Sequence, residues 1–333
     1  MIEPLYSPAP ERYDAMEYRR CGRSGIRIPV LALGMWHNFG ALKPFQEIKA
    51  MAHHAFDKGI CHFDLANNYG PPFGTAEENF GLLMERSLRP YRDELFISSK
   101  AGYDMWPGPY GNWGSRKYLM ASLDQSLKRM RLDYVDIFYS HRYDPETPLE
   151  ETLQALVDIV RQGKALYVGL SRYPAEQAEK AYRYLREHDV PCLLYQDRFN
   201  ILDRTPQKKG LIDLAAGNGA GFISFSPLQQ GLLTGRYLNG IPADSRMARG
   251  TSLKEETLTP AMLQMLRSLN DLARKRGQSL AQMALAWILQ DPRVTSVIIG
   301  ASSVAQLDDN LKSLDNVHFS SEELRIIDER SAI

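Results

Sequence analysis

A closed (β/α)8 barrel, the TIM-barrel form of the α/β class, is the fold this sequence predicts, and three observations carry it. Short β-rich runs alternate with longer segments of helical period almost from end to end. The β-rich runs number eight, the strand count of such a barrel. No GxGxxG joins the first strand to the first helix, where a doubly wound dinucleotide fold needs it. The nearest imitation, GNGAG at 217–221, precedes a strand and reads as a turn.

In chain order, strand 30–34 leads to helix 46–58, strand 62–66 to helix 76–86, and strand 95–100 to helix 117–130. Strand 135–141 leads to helix 149–161, strand 165–171 to helix 175–187, and strand 192–196 to helix 210–216. Strand 221–227 is followed by the helix pair 261–276 and 279–290, and strand 297–300 by helix 304–314. The runs VDIFY at 135–139 and FISF at 222–225 are almost continuously apolar, as strands buried on both faces in a parallel sheet are. Leu153, Leu156, Val157 and Val160 fall at i, i+3, i+4 and i+7, one apolar stripe for a helix of the outer layer.

All of residues 1–333 are expected in one barrel domain, with 1–15 as an N-terminal extension. The Gly- and Pro-containing stretch 228–260 is the longest irregular segment, and a loop of that length in a compact domain is usually functional. A hydrophobic fraction of 44% supplies a large core. Lys plus Arg equals Asp plus Glu, 40 against 40, so charge gives no case for nucleic acid or an anionic membrane surface. No apolar run has the length of a signal peptide or a membrane span. Cys21, Cys61 and Cys192 are far apart and form no CxxC pair, which fits a reducing cytoplasm and neither a disulfide scaffold nor a zinc site.

Barrel enzymes work at the C-terminal ends of their strands, so the residues ending each run are the ones to read. The second strand carries Asp64, with Tyr69 five residues on. Lys100 ends the third strand and His141 the fourth. Each alone has an ordinary structural reading, but four titratable groups at one rim are costly to bury unpaired. Together they suit proton donation to a carbonyl oxygen. An ammonium at about 4 Å and an effective dielectric of about 20 attracts a phenolate by about 4 kcal/mol. Lys100 is therefore expected to bring the Tyr69 phenol below its ordinary pKa of about 10, with Asp64 fixing Lys100 and His141 orienting the carbonyl. No metal spacing is present, since adjacent His53 and His54 would point about 100° apart on a helix.

These residues sit in motifs that resemble the aldo-keto reductases over nearly the whole chain. The motifs are FDLANNYG at 63–70, GTAEENFG at 74–81, SSK at 98–100, DIFYSH at 136–141, VGLSR at 168–172, FSPL at 225–228 and IGAS at 299–302. The resemblance implies a catalytic tetrad of Asp64, Tyr69, Lys100 and His141, with Tyr69 as general acid. It implies a nicotinamide cofactor held by Trp36, Asp64, Ser171, Arg172, Gln196, Phe225 and Ser226. Leu228, Gln230, Gly231 and Leu232 would lie along the pyrophosphate, and Gly300, Ser302, Gln306 and Asn310 at the adenosine. Ser302 has helix capping as its alternative reading. Arg246 would face a 2′-phosphate, which favours NADPH (NADP+ as product), although Ser303 stands where many relatives carry a cation.

Within the family, GMWHNFG at 34–40, KAGYDMWPGPYG at 100–111 and DQSLKRM at 124–130 resemble the L-glyceraldehyde 3-phosphate reductases, with potassium-channel β subunits as a neighbouring branch. That resemblance implies a small, polar aldehyde as substrate, methylglyoxal included. It implies a pocket walled by Trp36, Tyr69, Trp106 and His141, and a cytoplasmic homotetramer or homo-octamer; the position of Arg142, just past His141, makes it the candidate ligand for a substrate phosphate. A redox-sensing subunit is the competing function, and the stretch 1–15 is expected to be too short for its partner-binding segment.

Overall fold

The computed structural model describes residues 6–243, 245, 247–248 and 253–331. Eight parallel strands close into a barrel: β3 (Leu31–Gly34), β4 (His62–Asp64), β5 (Phe96–Ala101), β6 (Val135–Ser140), β7 (Ala165–Ser171), β8 (Cys192–Arg198), β9 (Gly221–Phe225) and β10 (Val294–Ile299). They are preceded by a short antiparallel hairpin, β1 (Tyr18–Arg20) with β2 (Arg27–Pro29). Each barrel strand pairs with its sequence neighbours, and β10 closes the ring onto β3. Around the barrel lie α1 (Phe45–Asp57), α2 (Thr75–Leu83), α3 (Arg116–Met130), α4 (Leu149–Arg161), α5 (Ala175–Glu187), α6 (Thr205–Lys208) and α7 (Leu211–Gly217). The ring of helices continues with α8 (Pro260–Lys275), α9 (Leu280–Leu289), α10 (Val304–Leu311) and α11 (Ser321–Ser331).

Two apolar layers result. The larger fills the space between sheet and helices, where Leu153, Leu156 and Val157 of the α4 stripe are buried. The smaller fills the barrel interior with Ala32, Ile137, Tyr139, Leu194 and Ile223, and Cys21 and Ile28 of the hairpin join it. The hairpin therefore plugs the barrel beneath the strands' N-terminal ends. Its turn lies so close to the loop before β9 that a Cβ on Gly22 would sit 1.9 Å from the Gly219 carbonyl oxygen.

The sequence reading misses this hairpin, because strands of three residues with no alternation carry no periodic signal. It also stops before α11, whose start is marked by a reciprocal capping pair: the Ser320 N–H donates to Glu323 and the Glu323 N–H to Ser320. The seventh strand ends at Phe225 rather than 227, since Ser226 turns to φ 52° and Pro227 has no N–H for the ladder. Helix 76–86 becomes α2 plus a widened turn, Met84–Leu88. The stretch 228–260 includes short helical turns at Gln229–Thr234 and Glu255–Thr257.

Candidate active site

Parallel closure brings the C-terminal strand ends to one mouth, and the register sets who meets whom there. Asp64 of β4 pairs with Ser98 of β5, and Lys100 pairs with Tyr139 of β6. Lys100 is fully buried and donates to Asp64 Oδ2 at 2.6 Å and to the Leu65 carbonyl at 2.6 Å. Asp64 Oδ1 accepts from Ser98 at 2.8 Å and from Gln196 at 3.2 Å. A buried charge pair with this many hydrogen bonds is the arrangement that offsets its desolvation.

Tyr69 follows on the loop after β4. Asn67 anchors that loop, donating its backbone N–H to the Lys100 carbonyl and its side-chain amide to Tyr118 and Ser122. Gly70, at φ 83°, lets the loop press against Gly40, where a Cβ would come within 2.7 Å of the Gly70 Cα. The Tyr69 ring then stands 4.9 Å from the Lys100 ammonium, 6.0 Å edge-on from the His141 ring and 5.9 Å from Trp36. All four expected tetrad residues are thus in one cluster.

The protonation states differ from the sequence expectation in one respect. Burial first, then Asp64 and Tyr103, holds the Tyr69 phenol well above its ordinary value; it is not acidified by Lys100. The reason is that the ammonium is already committed to Asp64 and Leu65, so desolvation of the phenolate dominates. Burial pushes Lys100 down, and the attached Asp64 opposes it. Burial, then Lys100, Arg172 and Arg142, keeps His141 well below its usual range. The site holds a protonated phenol beside a neutral imidazole, which is what a proton donor and a hydrogen-bonding partner for a neutral carbonyl require.

Apart from Trp36 and Asp64, the described residues expected at the cofactor lie at or after the ends of β7, β8, β9 and β10. Ser171 and Gln196 are register partners at the ends of β7 and β8, and the buried Ser171 hydroxyl makes no hydrogen bond. Arg172 has φ 55° and donates to the Tyr103 hydroxyl at 2.9 Å. Half-buried Phe225 ends β9 beneath Arg198, whose guanidinium carbon is 5.9 Å from the ring centroid. Ser226, Gln229, Gln230 and Gly231 all have positive φ, and Leu228 and Leu232 point into the core. Left-handed runs of this kind gather backbone N–H groups into anion-binding concavities. The Gln230 Oε1 and Asn310 Nδ2 atoms are buried and unpaired.

Gly300 is exposed just past β10. Ser302 donates its N–H and hydroxyl to Gln306 at 2.8 and 2.9 Å, while the cap of α10 is Ser303, which corrects the capping alternative for Ser302. A cleft of about 250 Å³ separates Leu228, Thr234 and Arg236 from Ser302, Gln306 and Asn310. Arg236 is an addition that sequence reasoning missed, its signal being a cation near the start of the irregular loop. Arg246 lies outside the described residues.

On the substrate side Trp36 is 44% exposed beside Tyr69, stacked on His37. Trp106 is half-buried with its ring 5.1 Å from Tyr118, packing the loop after β5. Arg142 is clamped between Trp113 and Tyr103, at 3.5 and 4.3 Å, and donates to the Gly102 carbonyl and to Asn112. Tyr103, which the sequence reading passed over inside its own KAGYDM motif, stands edge-on 4.7 Å from His141.

The aldo/keto reductase family model matches residues 30–332. The chain is 58% identical over 327 residues to an Escherichia coli K12 protein named L-glyceraldehyde 3-phosphate reductase, covering 97% of this chain and 94% of that one. It is 37% identical over 306 residues to a rice protein named probable voltage-gated potassium channel subunit beta, covering 90% and 92%. A fission yeast protein named putative voltage-gated potassium channel subunit beta is 33% identical over 320 residues, covering 94% and 92%. With a barrel whose mouth gathers Asp64, Tyr69, Lys100 and His141, and a family match across nine-tenths of its length, the chain belongs to the aldo/keto reductase family and is an oxidoreductase.

Proposed function

We propose that the protein reduces small aldehydes, L-glyceraldehyde 3-phosphate foremost and methylglyoxal among the smaller ones, using NADPH, with Tyr69 as the general acid. The observation that carries this reading is the protonated Tyr69 phenol set between the Lys100 ammonium and the neutral His141 ring. The likeness to the reductase at 58% identity supports the substrate.

The residues present fit a long polar cofactor. Buried polar atoms of Ser171, Gln230 and Asn310 lack partners, and such atoms cost about 1–3 kcal/mol each unless a ligand satisfies them. Ser171, Arg172, Gln196 and Phe225 would hold the nicotinamide end, the 226–232 turn the pyrophosphate, and Ser302, Gln306 and Asn310 the adenosine. Arg236 and Arg246 are the cations for a 2′-phosphate. When bound, NADPH supplies the hydride; the chain's own groups handle the proton. Tyr69 donates its hydroxyl proton to the carbonyl oxygen, and His141 donates a hydrogen bond to that oxygen. Lys100, kept in place by Asp64, stabilises the phenolate left behind.

Steady-state kinetics over a panel of short aldehydes, with NADPH and NADH side by side, test the proposal. The expected outcome is NADPH-dependent turnover, highest on L-glyceraldehyde 3-phosphate, with Arg236→Ala and Arg246→Ala each weakening NADPH far more than NADH. The likeness to channel β subunits carries the competing reading of a redox-sensing subunit. Retention of cofactor with turnover stalled at about one equivalent would favour that reading. Light scattering on the same preparation measures the homotetramer or homo-octamer that accompanies this assignment, and fractionation of cells its cytoplasmic location.

A further inference from the structure

We propose that His62 and Ser98 form a buried strut that aims the Asp64 carboxylate at Lys100, which makes both of them positioning residues for proton donation by Tyr69. The inference rests on Tyr69 and Lys100 acting as assigned above.

The strut follows from strand geometry. His62 and Asp64 are two residues apart on β4, and Ser98 and Lys100 two apart on β5, so each pair shares a face of its strand. His62, Ser98 and Lys100 are fully buried and Asp64 nearly so. Ser98 has one hydroxyl proton and two acceptors in reach, Asp64 Oδ1 at 2.8 Å and the Phe63 carbonyl at 3.3 Å. The nearer, charged acceptor takes the proton. The Ser98 oxygen can then only accept from His62 Nε2, which lies at 3.2 Å. That bond fixes the tautomer, placing the imidazole proton on Nε2 and leaving Nδ1 bare. Nδ1 is indeed buried with no hydrogen-bond partner, on a ring whose neighbour is the edge-on Phe96 at 5.1 Å.

With Oδ1 pinned by Ser98 and Gln196, the carboxylate cannot rotate away, and Oδ2 stays on the ammonium. The second serine of the SSK motif does something else. Ser99 points out of the barrel and donates to Glu77 of α2 at 2.6 Å. The groups facing the Asp64–Lys100 pair are His62, Tyr69, Glu77, Tyr139, His141 and Gln196. Of these, together with Asp64 itself, only Asp64 and Glu77 help Lys100 keep its proton, and Asp64 does so by contact. Loosening Asp64 therefore lowers the pH at which Lys100 loses its charge.

The test uses the full chain in the variants Ser98→Ala, Ser98→Thr, His62→Leu, His62→Gln and the double Ser98→Ala/His62→Leu. Ser98→Ala is expected to lower kcat about tenfold, leave KM for the cofactor unchanged, and move the alkaline limb of the kcat profile down by about one pH unit. Ser98→Thr and His62→Gln keep the donors and should keep the limb. His62→Leu should reproduce the shift in smaller measure, and the double should be no worse than Ser98→Ala, because the two act in series. An unmoved alkaline limb in Ser98→Ala, or additive losses in the double, would overturn the strut. If Ser98→Ala does not fold, His62→Leu against His62→Gln decides by the same limb. Lys100→Met is measured alongside. Retained turnover there would sink the parent reading, whereas an inactive Lys100→Met with a normal Ser98→Ala sinks the strut alone.

Discussion

Tyr69 illustrates how a side chain takes its chemistry from position. Its hydroxyl is an ordinary phenol until burial and the Asp64 charge make the phenolate costly, so the resting state holds the proton. In the proposed reduction this held proton is the one passed to the carbonyl oxygen, with the Lys100 ammonium 4.9 Å from the ring. Tyr69→Phe removes the proton and keeps the ring. Turnover is expected to fall by about 10²–10⁴-fold, with cofactor affinity unchanged by fluorescence titration, and near-normal turnover would remove the acid from this residue. Arg142 shows the converse. Its place just past His141 suggests a phosphate ligand, and in the structure two aromatic faces and two acceptors hold it against the loop after β5.

Elements are joined here by a few buried polar bridges as well as by apolar packing. Glu77 of α2, fully buried, accepts from Ser99 of β5 and pairs with Arg129 of α3 at 2.8 Å, so one carboxylate ties two helices to the strand that carries Lys100. The same two helices pack closely enough that a Cβ on Gly81 would lie 2.1 Å from the Arg129 carbonyl oxygen. Alanine is favoured over glycine inside a helix by about 1 kcal/mol, but forced overpacking costs about 1–3 kcal/mol and more when backbone must move. Gly81→Ala is therefore expected to destabilise the protein despite its better helix propensity, by a lowered urea midpoint. A raised midpoint would show that α2 and α3 can separate freely.

For the molecule as a whole, burying imidazoles makes stability depend on pH. Burial pushes His62 down to about 4, and His141 also lies well below its ordinary 6.5. Below about 6.5 the unfolded chain binds protons that the folded chain refuses, so stability is complete above that pH and is lost as pH falls toward the folded value. Each such histidine removes about 1.4 kcal/mol per pH unit across its window. Urea midpoints should drop between pH 7 and pH 5, and His62→Gln should flatten that slope by one histidine's share. An unchanged slope in His62→Gln would mean that His62 takes up its proton as readily in the folded chain as in the unfolded one.

Much of the architecture was legible because it is written in periodicity and strand-end chemistry. Eight apolar runs separated by helices specify a parallel barrel, and in a parallel barrel every strand's C-terminal end must reach the same mouth. Asp64, Lys100 and His141 could therefore be placed together from their positions in the chain alone. Three-residue strands such as Tyr18–Arg20 carry no such period, and only docking beneath the barrel gives them a fold. What tertiary structure alone decided are contacts between residues remote in sequence, such as Gln196 with Asp64 across 132 positions, Arg142 between its two rings, and the His62–Ser98 bond. It also decided the protonation states, because the cost of a charge depends on how completely closure of the barrel removes water from around it, and no local pattern of residues encodes that.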